Sequence, residues 1–284
     1  MDDEMIKKLD RKRIRSCARN YLNHLVSCKR SQMSIFIIIG VLLVGLVALF
    51  FLMRQGVIPS IGKSPETNPN SFLETCMNDK IKETIGILLS QGGYITNPLN
   101  KKFKFEGEKD YSYISYLCYN QNYYLPCINQ EPMLIQNIKK ETKQYISKDI
   151  ELCFNDLTSN LNKEGYVVDA RYGGFDVDIS QNKMTISIDG KLTLTKTDET
   201  KKIEKFKISF LTRLYDLAVV SQEIVSQEAR FCNFEHLGYM LFYPEFKIDK
   251  FRTGDSIIIY NIQHRDSKEK FRFAVRGCVI PPGI

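Results

Sequence analysis

Between Met33 and Met53 the chain runs for 21 residues, MSIFIIIGVLLVGLVALFFLM, without one charged side chain. A helix of that length extends about 31 Å at about 1.5 Å per residue, the thickness of a bilayer's hydrocarbon core. A buried helix of a folded domain would keep a polar face, and here only Ser34 is polar. The run therefore predicts a transmembrane helix over 33–53. Its apolar core is longer than that of a secretory signal, and the following MRQGVIPS lacks a small-residue cleavage pattern. An uncleaved anchor is expected, with the lipid bilayer as its first partner.

The flanks orient it. Lys7, Lys8, Arg11, Lys12, Arg13, Arg15, Arg19, Lys29 and Arg30 precede the run, whereas only Arg54 and Lys63 follow it closely. Basic flanks stay inside, so residues 1–32 are expected to form a basic cytoplasmic tail and the rest to lie outside. Within the tail, Ile14, Ala18, Tyr21, Leu22 and Leu25 share one helical stripe, an amphipathic pattern that suits a headgroup surface. The whole chain carries a formal charge of +7. Most of that excess sits in the tail, so the outer part has no general nucleic-acid footprint.

The window Lys29-Arg30-Ser31-Gln32-Met33-Ser34-Ile35-Phe36 resembles the processing site of archaeal pilin-like (class III) signal peptides. There a basic pair and a small residue precede a Gln that opens the apolar helix. The resemblance implies cleavage after Ser31 and a pilin-like surface subunit. The rest of the chain resembles archaeal single-pass envelope proteins, which implies a location and no activity.

Residues 54–71, RQGVIPSIGKSPETNPNS, read as a linker rich in Pro, Gly, Ser and Asn. Beyond it, 72–284 reads as one extracytoplasmic α+β domain, with antiparallel strands packed against about three helices. Ser71 and Glu74 form a capping box for a helix ending near Ser90, before Gly92-Gly93. A second helix is expected from about Pro132 to just before Gly165, and a third over 213–232. Strands are expected at 111–117 and 123–127 around an Asn120-Gln121-Asn122 turn, and at 166–170, 175–180, 184–195 and 203–211. The last three are placed near 239–248, 256–263 and 270–279. The domain holds six of the eight cysteines: Cys76, Cys118, Cys127, Cys153, Cys232 and Cys278. An even number outside the membrane predicts a disulfide framework. Cys118 and Cys127 lie symmetrically about the hairpin turn and are expected to pair, and the other four would make two long-range staples. No close Cys pair marks a zinc site, so no metal is expected. No phosphate, dinucleotide or nucleophile-elbow pattern occurs either, so no cofactor is implied.

Two features point to recognition. Six tyrosines crowd into 111–124, of which Tyr111, Tyr119, Tyr123 and Tyr124 form a candidate binding surface for another envelope protein or a surface glycan. Lys270, Arg272 and Arg276 alternate on one strand face, so Arg272 and Arg276 form a candidate anion site. Catalysis has weaker footing. Asp176 and Asp178 stand at i and i+2 on a strand, and Glu235 adjoins His236. Either set could serve an envelope hydrolase, the alternative reading. The leading expectation is a membrane-anchored binding or assembly module without catalysis.

Overall fold

The computed structural model describes residues 37–47, 68–96, 99–122, 124–197 and 199–278. The chain divides into two units, 1–66 and 67–284. In the first, residues 37–47 form a helix with every side chain exposed. The remainder of the expected 33–53 span, the basic tail and the Ser31 processing site lie outside the described residues. Among the described residues no helix is long and apolar enough to cross a membrane.

The second unit is α+β. It opens with α1 (Pro69–Ser90), which begins earlier than the capping box predicts. Asn68 is the cap: its Oδ1 accepts from the Asn70 amide at 3.1 Å, and Pro69 fills the first turn, where no amide is needed. Ser71 and Glu74 therefore lie inside the helix. Leu73, Met77, Ile81, Ile85, Leu88 and Leu89 form its buried face, at the helical spacing read from the sequence. It stops where expected, because Gly92 and Gly93 take positive φ values of 66° and 89°. A Cβ at Gly93 would stand 2.8 Å from Leu134 Cδ1, so this glycine also lets α2 (Leu134–Lys163) start directly against the end of α1. α2 has 30 residues and buries Leu134, Ile138, Ile146, Ile150, Cys153, Phe154, Leu157 and Leu161.

Two sheets receive these helices. The first has the order β1 (Asn100–Phe103), β2 (Ser112–Tyr119), β9 (Lys270–Arg276), β8 (Ile258–His264), β7 (Phe246–Arg252), with β3 (Ile128–Asn129) pairing β2. The second is an antiparallel meander of β4 (Val167–Ser180), β5 (Lys183–Lys196) and β6 (Glu199–Leu211). All pairings are antiparallel except β2 with β9. A parallel pairing needs a long crossover, and here α2 and the whole meander lie between β2 and β9. The expected strands 166–170 and 175–180 are one strand. The register slips between Tyr172 and Phe175, at Gly173-Gly174, so the chain bulges rather than turns. The hairpin arm expected at 123–127 shrinks to a two-residue pairing at Ile128–Asn129.

The main core joins α1, α2, α3 (Leu214–Phe231) and the inner faces of both sheets. On α3, Leu217, Val220, Ile224 and Val225 are buried, but Phe231 is exposed at the helix end. The stretch expected to begin a strand at 239 is instead helix α4 (His236–Phe242) followed by β7. Glu235 starts it by accepting from the Leu237 amide at 3.1 Å. Pro244 prevents its continuation.

Three disulfides brace this unit. Cys76 of α1 joins Cys153 of α2 with Cα atoms 6.0 Å apart. Cys118 joins Cys127 across the β2–β3 connection at 5.2 Å. Cys232, just beyond α3, joins Cys278, just beyond β9, at 5.7 Å.

Candidate functional site

The tyrosines that crowd together in sequence fall into separate pairs, Tyr111 with Tyr113 about Lys102 and Tyr116 with Tyr119. Tyr111 is 56% exposed and Tyr124 67%, but Tyr116 is buried and Tyr119 half-buried. A register slip in β2 between Tyr116 and Cys118 turns Tyr119 onto the same face as Tyr116, and their rings meet edge to face at 5.2 Å. Tyr111 and Tyr119 lie about 26 Å apart along an extended chain of about 3.3 Å per residue. They cannot form one contiguous surface, and Tyr123 lies outside the described residues. Tyr111 has company of another kind, because Lys102 Nζ sits 4.7 Å from its ring centroid.

Arg272 does not lie on a solvated face. The outer face of the first sheet carries a second small core of Phe105, Ile114, Tyr116, Ile257, Ile259 and Ala274. Arg272 is buried beside it. Its Nη1 donates to Glu108 Oε2 at 3.1 Å, its Nη2 donates to Glu108 Oε1, and its Nε donates to Asn261 Oδ1 at 3.2 Å. Its guanidinium carbon stands 4.0 Å from the Phe105 ring centroid. Alternation predicts only that Arg272 and Phe271 point oppositely. The segment carrying Phe105 and Glu108 supplies the cover that makes Arg272 a structural cation. Arg276 likewise donates from Nη1 to the Tyr119 hydroxyl at 2.6 Å. With these partners, neither arginine is presented as an open anion site.

The pair with Arg272 has a pH consequence. The hydrogen bond from Arg272 holds the Glu108 carboxyl below its ordinary value of 4.5. A carboxyl depressed in the folded state adds stability above its unfolded value and loses it as pH falls through the folded one. Glu108→Gln should therefore lose less stability than the parent between neutral pH and about pH 3, as read from urea midpoints. Equal acid sensitivity in the two proteins would contradict this.

Asp176 and Asp178 do share a strand face, and each faces a lysine of α2; Asp176 also lines a shallow pocket of about 380 Å³ with Lys139, Lys140, Lys143 and Gln144. Lys139 Nζ lies 2.7 Å from Asp178 and Lys143 Nζ 3.3 Å from Asp176. Both carboxylates are exposed, and hydrogen bonding from Lys139 lowers the value of Asp178. A general acid at neutral pH needs the opposite shift. Glu235 is occupied in capping α4. His264 is buried, and its Nδ1 accepts from the Ser267 amide at 3.4 Å. Among the described residues no group of three His, Cys, Asp or Glu could hold a metal ion.

The strongest candidate is a groove of about 830 Å³ that no sequence motif announced. Its wall is the face of α3 carrying Tyr215, Asp216, Glu223 and Gln227, closed by α4, the β4–β5 turn and His264. Helix α3 is held there at its start, where Glu269 accepts from the Thr212 hydroxyl and the Arg213 amide, both at 2.6 Å. Tyr239 and Tyr243, one helical turn apart, present rings 4.6 Å apart at 31°. Arg213 is engaged by Asp216 at 3.3 Å. Glu223 accepts from the Gln227 amide at 2.7 Å, and Glu245 adds a further carboxylate. Burial first, and then Tyr243, Glu223 and Glu245, push the Tyr239 phenol up to about 12. Helix α4 also exposes apolar side chains that do not line the groove, with Leu241 83% and Phe242 82% exposed and Leu237 also outward. Exposed apolar surface of this kind marks contact sites. The i, i+4 relation of Tyr239 and Tyr243 would have been the one legible signal, but a strand assignment places them differently.

No protein-family model, no curated protein and no solved structure matches this chain.

Proposed function

We propose that this chain is a membrane-anchored binding module. Its 67–284 unit works outside the membrane, with the groove between α3 and α4 as its binding site. The observation that carries the reading is the pairing of all six cysteines beyond the apolar run into three disulfides, which belong to an oxidising compartment. The uncharged run 33–53 and its basic flank supply the anchor and its direction. Binding is favoured over catalysis because Asp176 and Asp178 are each paired with a lysine, and Glu235 caps a helix. The groove has the size and mixed lining of a recognition site.

Protease treatment of intact cells tests the placement. A C-terminal tag should be digested from outside while an N-terminal tag survives, and the protein should leave the membrane only with detergent. A C-terminal tag that survives until the cells are lysed overturns the placement, and release by high salt alone overturns the anchor.

A further inference from the structure

We infer that the groove takes an organic cation, an ammonium or guanidinium on an apolar stem. The inference rests on the reading of the groove as a binding site and names its ligand.

The first support is charge. Arg213 is the only Lys or Arg that lines the groove among the described residues, and Asp216 already engages it. Among the described residues Glu223 and Glu245 form no ion pair, so the lining keeps a surplus of negative charge next to the Tyr239 and Tyr243 rings. The second support is the aromatic lining itself: several tyrosines of this fold carry a cation, while Tyr94, Tyr124 and Tyr172 carry none among the described residues. Lys80 lies 3.9 Å from the Tyr145 ring centroid, Lys196 4.5 Å from Tyr166, and Arg276 5.1 Å from Tyr119. Tyr111 and Tyr260 also carry a lysine. Among the described residues no cation of the chain covers Tyr215, Tyr239 or Tyr243. The groove thus holds aromatic faces and carboxylates arranged as for a cation that the chain itself does not supply. A neutral ligand would gain nothing from the surplus charge and would have to leave both carboxylates hydrated.

The test is isothermal titration of the full chain in non-ionic detergent with three probes: an acetylated, amidated tri-arginine peptide, spermidine and maltotriose. Tri-arginine should bind saturably. Glu223→Gln with Glu245→Gln should weaken it at least about tenfold, as expected for losing two facing charges. Spermidine weaker than the peptide places the source in a polypeptide, and spermidine equal to it places the source in a free amine; both support the cation. Cation binding that is absent, or unchanged in the double variant, overturns the inference. Two results then separate it from the reading beneath. Maltotriose binding that is lost in Tyr243→Ala keeps the groove as a site and removes the cation. No binding by any of the three probes removes both. Circular dichroism of each variant, matched to the parent, keeps a lost fold from counting as lost binding.

Discussion

Replacing Cys76 and Cys153 together by serine is expected to cost the folded domain about 4.5 kcal/mol, from the entropy of closing a loop of this length in the unfolded chain. The bridge spans 77 residues and ties α1 to α2. The same reasoning gives about 4 kcal/mol for Cys232–Cys278 and about 2.5 kcal/mol for Cys118–Cys127. Their separations of 46 and 9 residues set that order. Losses of this size are comparable to the whole stability of many domains, so full reduction should abolish cooperative unfolding near 37 °C. Urea denaturation of the three paired-serine variants measures the order directly. A Cys118–Cys127 variant less stable than the Cys76–Cys153 variant would show that native contacts, not chain entropy, set the contributions. Unchanged melting after complete reduction would remove the framework as a source of stability.

Glu228 carries the second large effect. It is buried near the end of α3, where its Oε1 accepts from the Tyr260 hydroxyl and lies 3.2 Å from Lys250 Nζ. Lys250 also donates to Asn233 Oδ1 at 3.0 Å and to the Phe234 carbonyl at 3.3 Å. Burial, and then the carboxylate, hold the Tyr260 phenol above its ordinary value. Glu228→Leu would leave a mostly buried ammonium without its counter-charge and a buried hydroxyl without its acceptor. Breaking a buried pair from one side costs roughly 3–5 kcal/mol. Glu228→Gln keeps an acceptor for Tyr260 and should lose less. The double change Glu228→Leu with Lys250→Met removes both charges and should recover most of the loss, because apolar replacement of both partners is often neutral. A double-mutant cycle from urea midpoints gives the coupling. A Glu228→Leu cost below about 1 kcal/mol would mean the pair is hydrated in solution.

The helices were the most legible part of the fold. The faces of α1 and α2 follow from apolar residues at three- and four-residue intervals, and their ends from Gly92-Gly93 and Gly165. Periodicity speaks to one element at a time, and its errors share that cause. It placed a strand at 239 because a run such as Tyr-Met-Leu-Phe-Tyr suits a strand, while the cap from Glu235 and the stop at Pro244 select a helix. It offered Arg272 as an anion site because alternation tells which side chains oppose each other and not what covers the second face. It gathered Tyr111 and Tyr119 into one surface because a β-bulge leaves no mark in local composition.

The sequence alone therefore determined the local and the covalent possibilities. An uncharged run long enough for a bilayer, an even set of cysteines beyond it, and two long amphipathic helices are properties of neighbouring residues. Tertiary structure decided what depends on distant residues meeting. It selected one of the possible disulfide pairings, the parallel contact of β2 with β9, and the burial of Glu228 with Lys250. It also assembled a groove from the turn at Gln181-Asn182, the α3 face, α4 and His264. Those segments share no spacing that could announce them, because chain closure and the packing of α3 on the sheet bring them together.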